Sequence, residues 1–505
     1  MSHAHGVSFD VVAPRSKFYQ GPFGRICGDL PPWSPPHLDR FNNETQITAH
    51  FLNIANDMVE VPGKSPTEIS ADNTLTNDLE QQFGSNIPAG YTYFGQFIDH
   101  DITFDPASSL MRQNDPNGLL NHRTPRLDLD NIYGKGHGQS PYLYDNDDPD
   151  KMLIGQIPNT NLRDLPRNSQ GRALIGDMRN DENSMVSQLQ LAFLLSHNTL
   201  VDRARAQNIA EPFEAARKTL RWLYQYIVWN DFIVRIANDE IQKCALSLQK
   251  VCGGRSVWDM GLGDIFKWKN QPYMPIEFAV AAYRFGHSMV RNGYQTNNPH
   301  RGFGNFAPIF DTDTSNADDL RGFTPMTKSK YIQWDWFLEM TTSTGPFPQR
   351  ARKIDTKLSN SLASLPIEGP GSAMNILAFR NLVRGWRFEL PSGSDIARKF
   401  CIKPTTIDPE RDSLWYYILQ EAENIPGANK GQMLGKLGST IVCATFAGLL
   451  KGDPLSWLNL NPCWTPDEDP LLEECDKIDA GDWTLASIIR LSGLPVDADD
   501  VTAQT

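Results

Sequence analysis

Two carboxylic acids and a histidine interrupt an aromatic, apolar stretch that runs from Tyr91 to Phe104. They are Asp99, His100 and Asp101, and phenylalanine and isoleucine flank them on both sides. Ionisable groups are costly to bury unless each has a partner. Successive residues of an α-helix point about 100° apart, so the three side chains would face three different partners. The stretch therefore predicts a helix within a functional site, whereas the alternative, an exposed acidic turn, is disfavoured by the apolar flanks.

Length and composition indicate a large globular protein. The chain has 505 residues, which suits one large domain or two closely packed ones. Its residues are 40% hydrophobic and 21% charged, as in soluble globular proteins. A formal net charge of −13 argues against nucleic acid or an anionic membrane surface as the main partner.

The seven cysteines argue against a disulfide scaffold, because their number is odd and their spacing is irregular. The sequence Cys-x-x-Cys-His does not occur, which excludes attachment of a c-type haem. We expect no membrane span, because no apolar run reaches about 18 residues. The first residues lack the basic-then-apolar pattern of a signal peptide. We therefore expect a soluble protein, and secretion by a non-classical route stays open.

Hydrophobic spacing predicts a mainly α fold, a single large domain with long loops and little β structure. Residues 1–40, rich in proline and glycine, are expected to form a surface arm, residues 41–495 the domain and residues 496–505 a tail. The loop-rich stretch 105–172 is unusually long, and such loops are usually functional. After the His100 helix, further helices are predicted over residues 184–206, 211–237, 276–290, 372–388, 413–423, 431–450 and 485–491.

His287 lies in an aromatic, apolar helical segment directly after Gly286. The commonest role of such a histidine is that of a hydrogen-bonded core residue. However, a glycine lets a flat ligand approach the backbone, and haem iron accepts an imidazole of this kind. His287 is therefore a candidate haem ligand, with the core role as the alternative.

Two further polar residues gain interest from their settings. Arg179 lies between a loop and a strongly predicted helix, where active-site residues often lie, although on its own it would be assigned to the surface. Asn381 lies in an apolar run and needs a partner. Its carbonyl could accept a hydrogen bond from the far nitrogen of a metal-bound histidine, and capping of the backbone is an equal alternative.

The segment 124–134 places oxygen-bearing side chains at alternate positions. In an extended loop, Thr124, Asp128 and Asp130 would point the same way. Oxygen ligands of this kind suit Ca²⁺, although the spacing is not that of an EF-hand. The alternative is an exposed acidic turn.

In their order along the chain, these segments resemble the animal haem peroxidases of the peroxidase–cyclooxygenase superfamily, which includes myeloperoxidase and lactoperoxidase. The resemblance runs from about residue 20 to residue 495. Residues 380–385 and 390–393 look most similar to the bacterial branch. The resemblance implies a haem-dependent peroxidase that uses H₂O₂ to oxidise small donors through an oxoferryl intermediate.

The resemblance implies that three residues carry the peroxide chemistry. His100 would be the distal histidine, which takes a proton from bound peroxide and returns it to the leaving oxygen. Arg179 would be the distal arginine, which stabilises the charge that develops there. Gln96 would be the neighbour of His100 in the pocket for peroxide and halide.

It also implies haem b held from both faces. His287 would be the proximal iron ligand and Asn381 its hydrogen-bond partner; a neutral asparagine leaves the iron a stronger oxidant than a carboxylate would. Asp99 and Glu182 match the carboxylates that form ester bonds to haem. Asn183 stands where myeloperoxidase has a methionine that forms a further link. Bromide, iodide, thiocyanate or small organic donors are therefore expected rather than chloride.

The same resemblance implies a calcium site. Its expected ligands are Asp101, Thr124, Arg126 through its carbonyl, Asp128 and Asp130. Asp130 stands where serine is frequent in the family, which adds a negative charge to the cage. The ion would join the His100 helix to the 124–130 loop.

Two other functions stay open. The superfamily contains fatty-acid dioxygenases, which use a tyrosine three residues before the proximal histidine; here that residue is Arg284, and Tyr283 lies four before. The offset turns the phenol by about 100° on an α-helix, which favours the peroxidase. A non-catalytic matrix or adhesion protein would be expected to lose His100, Arg179 or His287, and all three are present.

Overall fold

The computed structural model describes residues 23–40, 43–104, 121–250, 256–311, 318–340, 346–365, 367–369, 371–478 and 481–505. Residues 1–22 of the predicted arm and residues 105–120 of the predicted long loop lie outside this range. All of the candidate site residues lie within it.

Helices form most of the regular structure, which confirms the prediction of a mainly α fold. The α-helices are α1 (Glu44–Asp57), α2 (Pro66–Ala71), α3 (Asn73–Phe83), α4 (Gly90–Ile102), α5 (Asp130–Tyr133), α6 (Ser184–Ala206), α7 (Pro212–Ile227), α8 (Ile233–Ile236), α9 (Asp239–Ala245), α10 (Leu377–Arg387), α11 (Gly393–Lys399), α12 (Leu414–Glu423), α13 (Lys436–Gly452), α14 (Trp457–Leu460), α15 (Leu485–Ser492) and α16 (Ala498–Gln504). Two π segments span Val228–Phe232 and Glu277–Ala281.

The strands in the described parts of the chain are short and pair two by two. They are β1 (Phe23–Gly24), β2 (Gly84–Pro88), β3 (Gly155–Gln156), β4 (Arg163–Asp164), β5 (Ser247–Lys250), β6 (Ser256–Asp259), β7 (Met274–Pro275), β8 (Gly293–Tyr294), β9 (Ala307–Pro308) and β10 (Arg350–Arg352). β1 pairs with β7 in parallel, while β2–β10, β3–β4, β5–β6 and β8–β9 are antiparallel.

Helix α4 lies in the core and packs against α6. Phe97 stacks on Phe193 with their ring centroids 4.5 Å apart. Phe94 meets Tyr224 and Phe232 edge-on, at 6.2 and 5.8 Å. These aromatic contacts bury the apolar side of α4 and hold the helix in one orientation. The packing therefore decides where the polar residues at the end of the same helix can point.

Several predicted helices have nearly the expected limits, two begin five residues later than predicted, at Leu377 and Lys436, and one predicted α-helix has a different geometry. The helix predicted over 184–206 is α6, and the helix predicted over 211–237 continues from α7 through the first π segment into α8. The segment predicted as an α-helix over 276–290 is instead a π turn, Glu277–Ala281, followed by a 3₁₀ helix, Ala282–Met289.

Side-chain hydrogen bonds, one of them from a distant part of the chain, accompany this departure from α-helical geometry. Nε1 of Trp415 donates to the carbonyl of Arg284 at 3.1 Å. Nε of Arg284 donates to the carbonyl of Ala279, also at 3.1 Å. These side chains satisfy one carbonyl group of the 3₁₀ helix and one of the π segment, and a 3₁₀ run of this length is uncommon. The spacing of apolar residues does not reveal contacts of this kind.

The described part of the arm, residues 23–40, lies against the C-terminal end of α10. The N–H of Trp33 donates to the carbonyl of Leu390 at 2.9 Å. Nη2 of Arg40 donates to the carbonyl of Trp386 at 2.5 Å. The arm is thus bonded to the helix that carries Asn381.

At the other end, the tail forms α16, whose Val501 is buried. The six cysteines that the structure describes are unpaired, and Cys252 lies outside the described residues. Within the described residues, no helix combines the length and apolar character needed to cross a bilayer.

Candidate functional site

One cavity brings the two candidate haem histidines together. Its volume is about 580 Å³, within the range of ligand pockets. His100 of α4 and His287 of the 3₁₀ helix both line it, as does Asn381 of α10. The other candidate haem-site residues on its walls are Gln96, Asp99 and Glu182.

The three ionisable residues of α4 have different partners. Asp99 and His100 reach the cavity, and a carboxylate oxygen of Asp99 accepts a hydrogen bond from Oγ1 of Thr103 at 2.9 Å. Asp101 is fully buried, and its Oδ2 accepts a hydrogen bond from the N–H of Leu129 at 3.3 Å. Asp101 therefore faces the 124–130 loop rather than the cavity.

A chain of buried amides lies behind His100. Its Nδ1 lies 2.6 Å from Oδ1 of Asn180. Nδ2 of Asn180 donates to Oε1 of Gln190 at 2.7 Å, and Nε2 of Gln190 donates to the backbone carbonyl of Asn131 at 3.2 Å. A carbonyl can only accept, so it fixes the orientation of both amides. Nδ1 of His100 consequently carries the proton, and Nε2 is its basic nitrogen.

The sequence patterns above do not identify Asn180 or Gln190. Gln190 could have been noticed in the sequence, because it is a polar residue in the largely apolar helix α6. A buried amide must find a hydrogen-bond partner. The identity of that partner depends on how α6 packs against the 178–181 turn, which the sequence spacing does not specify.

His100 is neutral in this setting. Burial lowers its pKa to about 4, and the positive charge of Arg179 acts in the same direction. A neutral imidazole with a free Nε2 can accept a proton from a molecule in the cavity.

Arg179 lies beside His100, but it is not among the residues that line the cavity. Its Nη2 donates to the carbonyl of Thr103 at 2.6 Å and to that of His100 at 3.1 Å. The carboxylate of Asp177 lies 2.7 Å from the same nitrogen. Burial opposes ionisation of Asp177, yet the bond and charge of Arg179 hold its pKa well below the usual range. The guanidinium thus satisfies carbonyls at the C-terminal end of α4, where a cation is favoured.

Glu182 brings a second carboxyl group to the cavity wall. Nε2 of Gln96 donates to its Oε2 at 2.5 Å, and Nδ2 of Asn183 donates to Oε1 of Gln96 at 3.1 Å. Burial raises the pKa of Glu182, against the opposing effects of Gln96 and Arg179. Gln96 therefore links α4 to the segment that follows Arg179.

Another part of the cavity wall is built around His287. Nδ1 of His287 lies 2.8 Å from Nδ2 of Asn381, so α10 positions the ring. Burial lowers the pKa of His287 to about 3, and the charges of Arg284 and Arg380 act in the same direction. The imidazole is therefore neutral, as metal ligation requires. A Cβ atom added at Gly286 would meet no atom within 4 Å.

Positive charge concentrates around the cavity, although the protein as a whole carries −13. Arginine pairs well with carboxylates because its planar group can form two parallel hydrogen bonds. This concentration suits a ligand that carries anionic groups. The arginines on the cavity walls are Arg284, Arg321, Arg380 and Arg384.

The candidate calcium ligands lie where α4 contacts the 124–130 loop. Among the described residues, Oδ1 of Asp101, Oδ1 of Asp128 and Oδ2 of Asp130 are buried without a hydrogen-bond partner. Burial raises the pKa of all three acids, to about 7 for Asp128, and the neighbouring carboxylates add to the effect for Asp101 and Asp128. Unpaired buried oxygens are costly, and a cation would satisfy them.

The rest of the predicted cage is close by. Oγ1 of Thr124 donates to Oδ2 of Asp128, and the N–H of Arg126 donates to the carbonyl of Thr124, both at 2.8 Å. Nη1 of Arg123 pairs with Asp130 at 2.6 Å and neutralises part of the charge. The oxygens of the three acids do not all approach within 4.8 Å of one another, so an ion would have to draw them inward.

Tyr283 also lines the cavity, and its hydroxyl donates to the carbonyl of Gly95 at 3.2 Å. A 3₁₀ helix has three residues per turn, so Arg284 aligns with His287. Tyr283 is offset by a third of a turn. The phenol nevertheless remains part of the cavity wall.

Comparison with protein families shows what the chain is similar to in sequence. The family model described as animal haem peroxidase matches residues 108–401, more than half of the chain. The chain is 23% identical over 290 residues to "Heme peroxidase 2" of Caenorhabditis elegans, which covers 45% of this chain and 39% of that protein. It is 29% identical over 124 residues to a "Peroxidase-like protein" of Margaritifera margaritifera, covering 23% and 14%. The chain thus spans well under half the length of both relatives.

Solved structures share the fold at low sequence identity. Peroxidase A from Dictyostelium discoideum has a TM-score of 0.56 at 16% identity, over 88% of this chain and 91% of that one. Fatty acid alpha-dioxygenase from Oryza sativa has a TM-score of 0.53 at 14% identity, over 83% and 75%. The Arabidopsis thaliana enzyme has a TM-score of 0.51 at 14% identity, over 94% and 82%. Peroxidases and dioxygenases are therefore both similar in fold to this chain.

Proposed function

The chain belongs to the animal haem peroxidase family, and from this membership we propose that it binds haem between His100 and His287 and oxidises small donors with H₂O₂. The observation that carries the proposal is the pair of neutral imidazoles on the walls of one cavity, with His100 buried and His287 partly buried. One imidazole serves as an iron ligand and the other as a proton acceptor.

The residues around the cavity fit a haem group. Gly286 leaves room for a flat ring system beside His287. The arginines at the cavity can pair with the two propionate groups of haem. Neutral His287 supplies the nitrogen ligand that haem iron accepts.

If His287 binds the haem iron, the side-chain amide of Asn381 must take one particular orientation. In the structure, Nδ2 of Asn381 faces Nδ1 of His287. Rotating the amide by half a turn places Oδ1 there at little cost, because the two ends of the group have nearly the same shape. Nδ1–H of His287 would then donate to Oδ1, and Nε2 would be the atom that binds the iron.

Haem supplies the redox centre that takes two oxidising equivalents from H₂O₂ and passes them to a donor. His100 supplies the proton transfer: Nε2 takes a proton from one peroxide oxygen and returns it to the other as that oxygen leaves as water. Asn180 keeps the Nδ1 proton in place, so Nε2 is free at the start of each cycle.

Arg179 and Gln96 complete the distal side. Arg179 acts in the observed geometry on the end of α4 and on the charge state of His100. For Arg179 to stabilise the leaving oxygen directly, its Nη2 would have to give up its bond to the carbonyl of Thr103 and donate to that oxygen instead. Gln96 shares the cavity wall with His100 and positions Glu182.

Asp99 and Glu182 are proposed to bond covalently to haem methyl groups. Each ester would replace a carboxyl O–H and a haem methyl C–H with a C–O bond, a two-electron oxidation that the reduction of one H₂O₂ to two molecules of water would balance. Both carboxyl groups line the cavity. Two such bonds would hold the haem at its edge in addition to the ligand bond of His287.

We assign Ca²⁺ to Asp101, Thr124, the carbonyl of Arg126, Asp128 and Asp130. The three unpaired carboxylate oxygens support the assignment, because Ca²⁺ takes six to eight oxygen ligands in flexible geometry. The ion would tie α4 to the loop and so fix His100, which is the neighbour of Asp101.

The donors proposed are bromide, iodide, thiocyanate and small phenols. Asn183 at the cavity wall cannot form a sulfonium bond to haem, which disfavours chloride. The arginines around the cavity would attract anionic donors.

Absorption spectroscopy of the haem-loaded protein tests the proposal. A Soret band should appear, change on addition of H₂O₂ and return when guaiacol or bromide is oxidised. His100→Ala should keep the Soret band and lose about 10²–10⁴-fold in the peroxide reaction, while His137→Ala, at an exposed histidine, should change neither. Failure of the purified chain to bind haem would refute the function, and full activity of His100→Ala would refute the distal assignment.

A fatty-acid dioxygenase is the second candidate, because Tyr283 lines the same cavity. Such an enzyme removes a hydrogen atom from the fatty acid through a tyrosyl radical and adds O₂ at the resulting carbon radical. Uptake of O₂ with linoleate in the absence of added peroxide, abolished in Tyr283→Phe, would favour this activity. Peroxide-dependent guaiacol oxidation that is unchanged in Tyr283→Phe would favour the peroxidase.

A further inference from the structure

We propose that His37, His50 and Glu410 form a separate metal site that binds Zn²⁺ or a similar transition-metal ion. Within the described parts of the chain, this is the group of three such side chains whose ligand atoms all lie within 4.8 Å of one another. None of the three lines the haem cavity. The site therefore does not depend on the proposed peroxidase function.

The three ligands come from three separate parts of the chain. His37 lies in the arm, His50 in α1, and Glu410 in the 3₁₀ helix Pro409–Arg411. Nδ1 of His37 lies 2.5 Å from Oε2 of Glu410. Nε2 of His50 lies 2.8 Å from the backbone carbonyl oxygen of Glu410. The fold thus places the imidazoles of His37 and His50 beside Glu410, which provides the carboxylate.

The bond to the carbonyl prepares His50 for ligation. Because a carbonyl only accepts, Nε2 of His50 carries its proton and Nδ1 keeps a lone pair. Metal-bound histidines usually donate their second ring nitrogen to a carbonyl or carboxylate in this way. The rings of His37 and His50 have centroids 5.7 Å apart and an interplanar angle of 75°. They therefore approach edge to face rather than stacking.

The ligand types decide which ion fits. Two imidazoles and one carboxylate suit Zn²⁺, which takes nitrogen and oxygen ligands in tetrahedral geometry with water in the fourth position. Ca²⁺ and Mg²⁺ prefer oxygen ligands alone. The side chains of His37 and Glu410 are 55% and 31% exposed, so an ion and its water have access. On binding, the metal displaces the proton shared by Nδ1 of His37 and the carboxylate.

A simple ion pair between His37 and Glu410 is the competing explanation. Exposed ion pairs contribute little to stability, and such a pair needs no third group. The presence of His50, with a ring nitrogen within 4.8 Å of the ligand atoms of both His37 and Glu410, is what distinguishes a metal site from a pair.

The position of the site gives it a structural role. Trp33 of the arm stacks on Phe51, the residue after His50, with their ring centroids 6.2 Å apart. The arm also bonds to the carbonyls of Trp386 and Leu390 at the end of α10 and just beyond it. A metal ion would therefore clamp the arm and α1 beside the helix that carries Asn381. An ion that binds the folded chain alone stabilises it by mass action.

Calorimetric titration of the haem-loaded protein with ZnCl₂, in the presence of excess Ca²⁺, tests the site. One Zn²⁺ should bind per chain and raise the melting temperature. His50→Gln keeps an amide donor for the carbonyl of Glu410 but removes the ligand nitrogen, so the Zn²⁺ affinity should fall at least about tenfold. His137→Gln, at an exposed histidine elsewhere, should leave the affinity unchanged.

Glu410→Gln provides a second variant, because it removes the carboxylate and leaves both histidines in place. Loss of Zn²⁺ binding in both His50→Gln and Glu410→Gln supports the site. Absence of a one-to-one Zn²⁺ complex in the wild type, or unchanged affinity in either folded variant, overturns it. The outcome is independent of whether the protein consumes peroxide.

Discussion

His100, which is buried, and His287, which is partly buried, are both neutral, yet the groups that face their Nδ1 atoms differ. Oδ1 of Asn180 faces Nδ1 of His100, and its orientation is fixed through Gln190 by a backbone carbonyl. Asn381, in contrast, can turn its amide without breaking a longer chain of bonds. His100 is therefore held in one tautomer, whereas His287 can adjust when a ligand binds.

Asn180→Leu should slow the reaction with peroxide while leaving haem bound. Leucine removes the acceptor at Nδ1 of His100, so both tautomers become populated and the ring loses its orientation. Misplaced catalytic groups typically cost about 10²-fold. Stopped-flow mixing with H₂O₂ measures this step, and ¹⁵N chemical shifts of His100 report the tautomer.

Asn180→Asp is the matched control, because its carboxylate still accepts from Nδ1–H. It should retain most of the peroxide rate, while the KM for the donor should be unchanged in both variants. A peroxide rate in Asn180→Leu equal to that of the wild type would show that Asn180 has no positioning role.

At the level of elements, regular helices were predictable and irregular ones were not. The spacing of apolar residues predicted α6 with its observed limits. The same reasoning predicted an α-helix over 276–290, where the structure has π and 3₁₀ turns. Local spacing carries no information about Trp415, whose bond to Arg284 comes from another part of the chain. For the same reason the sequence pointed to His100 and His287 but not to Asn180.

Calcium should reverse the effect of Asp128→Asn on stability. Without Ca²⁺, three acids with unpaired oxygens lie together, so removing one charge should raise the melting temperature. With Ca²⁺ the same change removes a ligand, so the melting temperature should fall below that of the wild type. Thermal melting in excess EGTA and in excess CaCl₂ measures both signs. Equal effects under the two conditions would argue against a calcium site.

The junction between the Trp334–Trp336 3₁₀ helix and the C-terminal segment should lose stability as pH rises. Burial raises the pKa of Asp335 to about 7 against hydrogen bonds from Gln333, and the charge of Asp497 adds to the rise; Asp500 also faces it. The folded chain thus binds this proton more tightly than the unfolded chain. The resulting stability is complete below the ordinary pKa near 4 and is lost as pH rises through about 7.

Asp335→Asn should remove this part of the pH dependence. The free energy of unfolding, from urea titrations at pH 5 and pH 8, should differ less between the two pH values than in the wild type. Asp78→Asn, at an exposed position, is the control and should behave as the wild type. An unchanged difference in Asp335→Asn would mean that the carboxyl group is ionised at both pH values.

At the scale of the molecule, the cavity joins distant parts of the sequence. Its walls come from α4, from the 282–289 3₁₀ helix and from α10, and the surrounding core extends from Phe23 to Leu494. A group that bonds to several of these walls at once would stabilise the whole fold rather than one element. Haem binding and global stability should therefore be coupled.

Haem should raise the melting temperature of the entire chain, and the His287 bond should account for part of the rise. At free haem about 1,000 times its Kd, the gain is roughly 4 kcal/mol. His287→Ala keeps the cavity but loses the iron ligand, so its rise should be smaller, whereas His100→Ala should retain the full rise because His100 does not bond to the iron. Iron-free protoporphyrin fills the same space without a metal bond. It should therefore raise the melting temperature of the wild type only as much as haem raises that of His287→Ala. Differential scanning calorimetry measures all four cases, and an equal rise in His287→Ala and the wild type would place the haem ligand elsewhere.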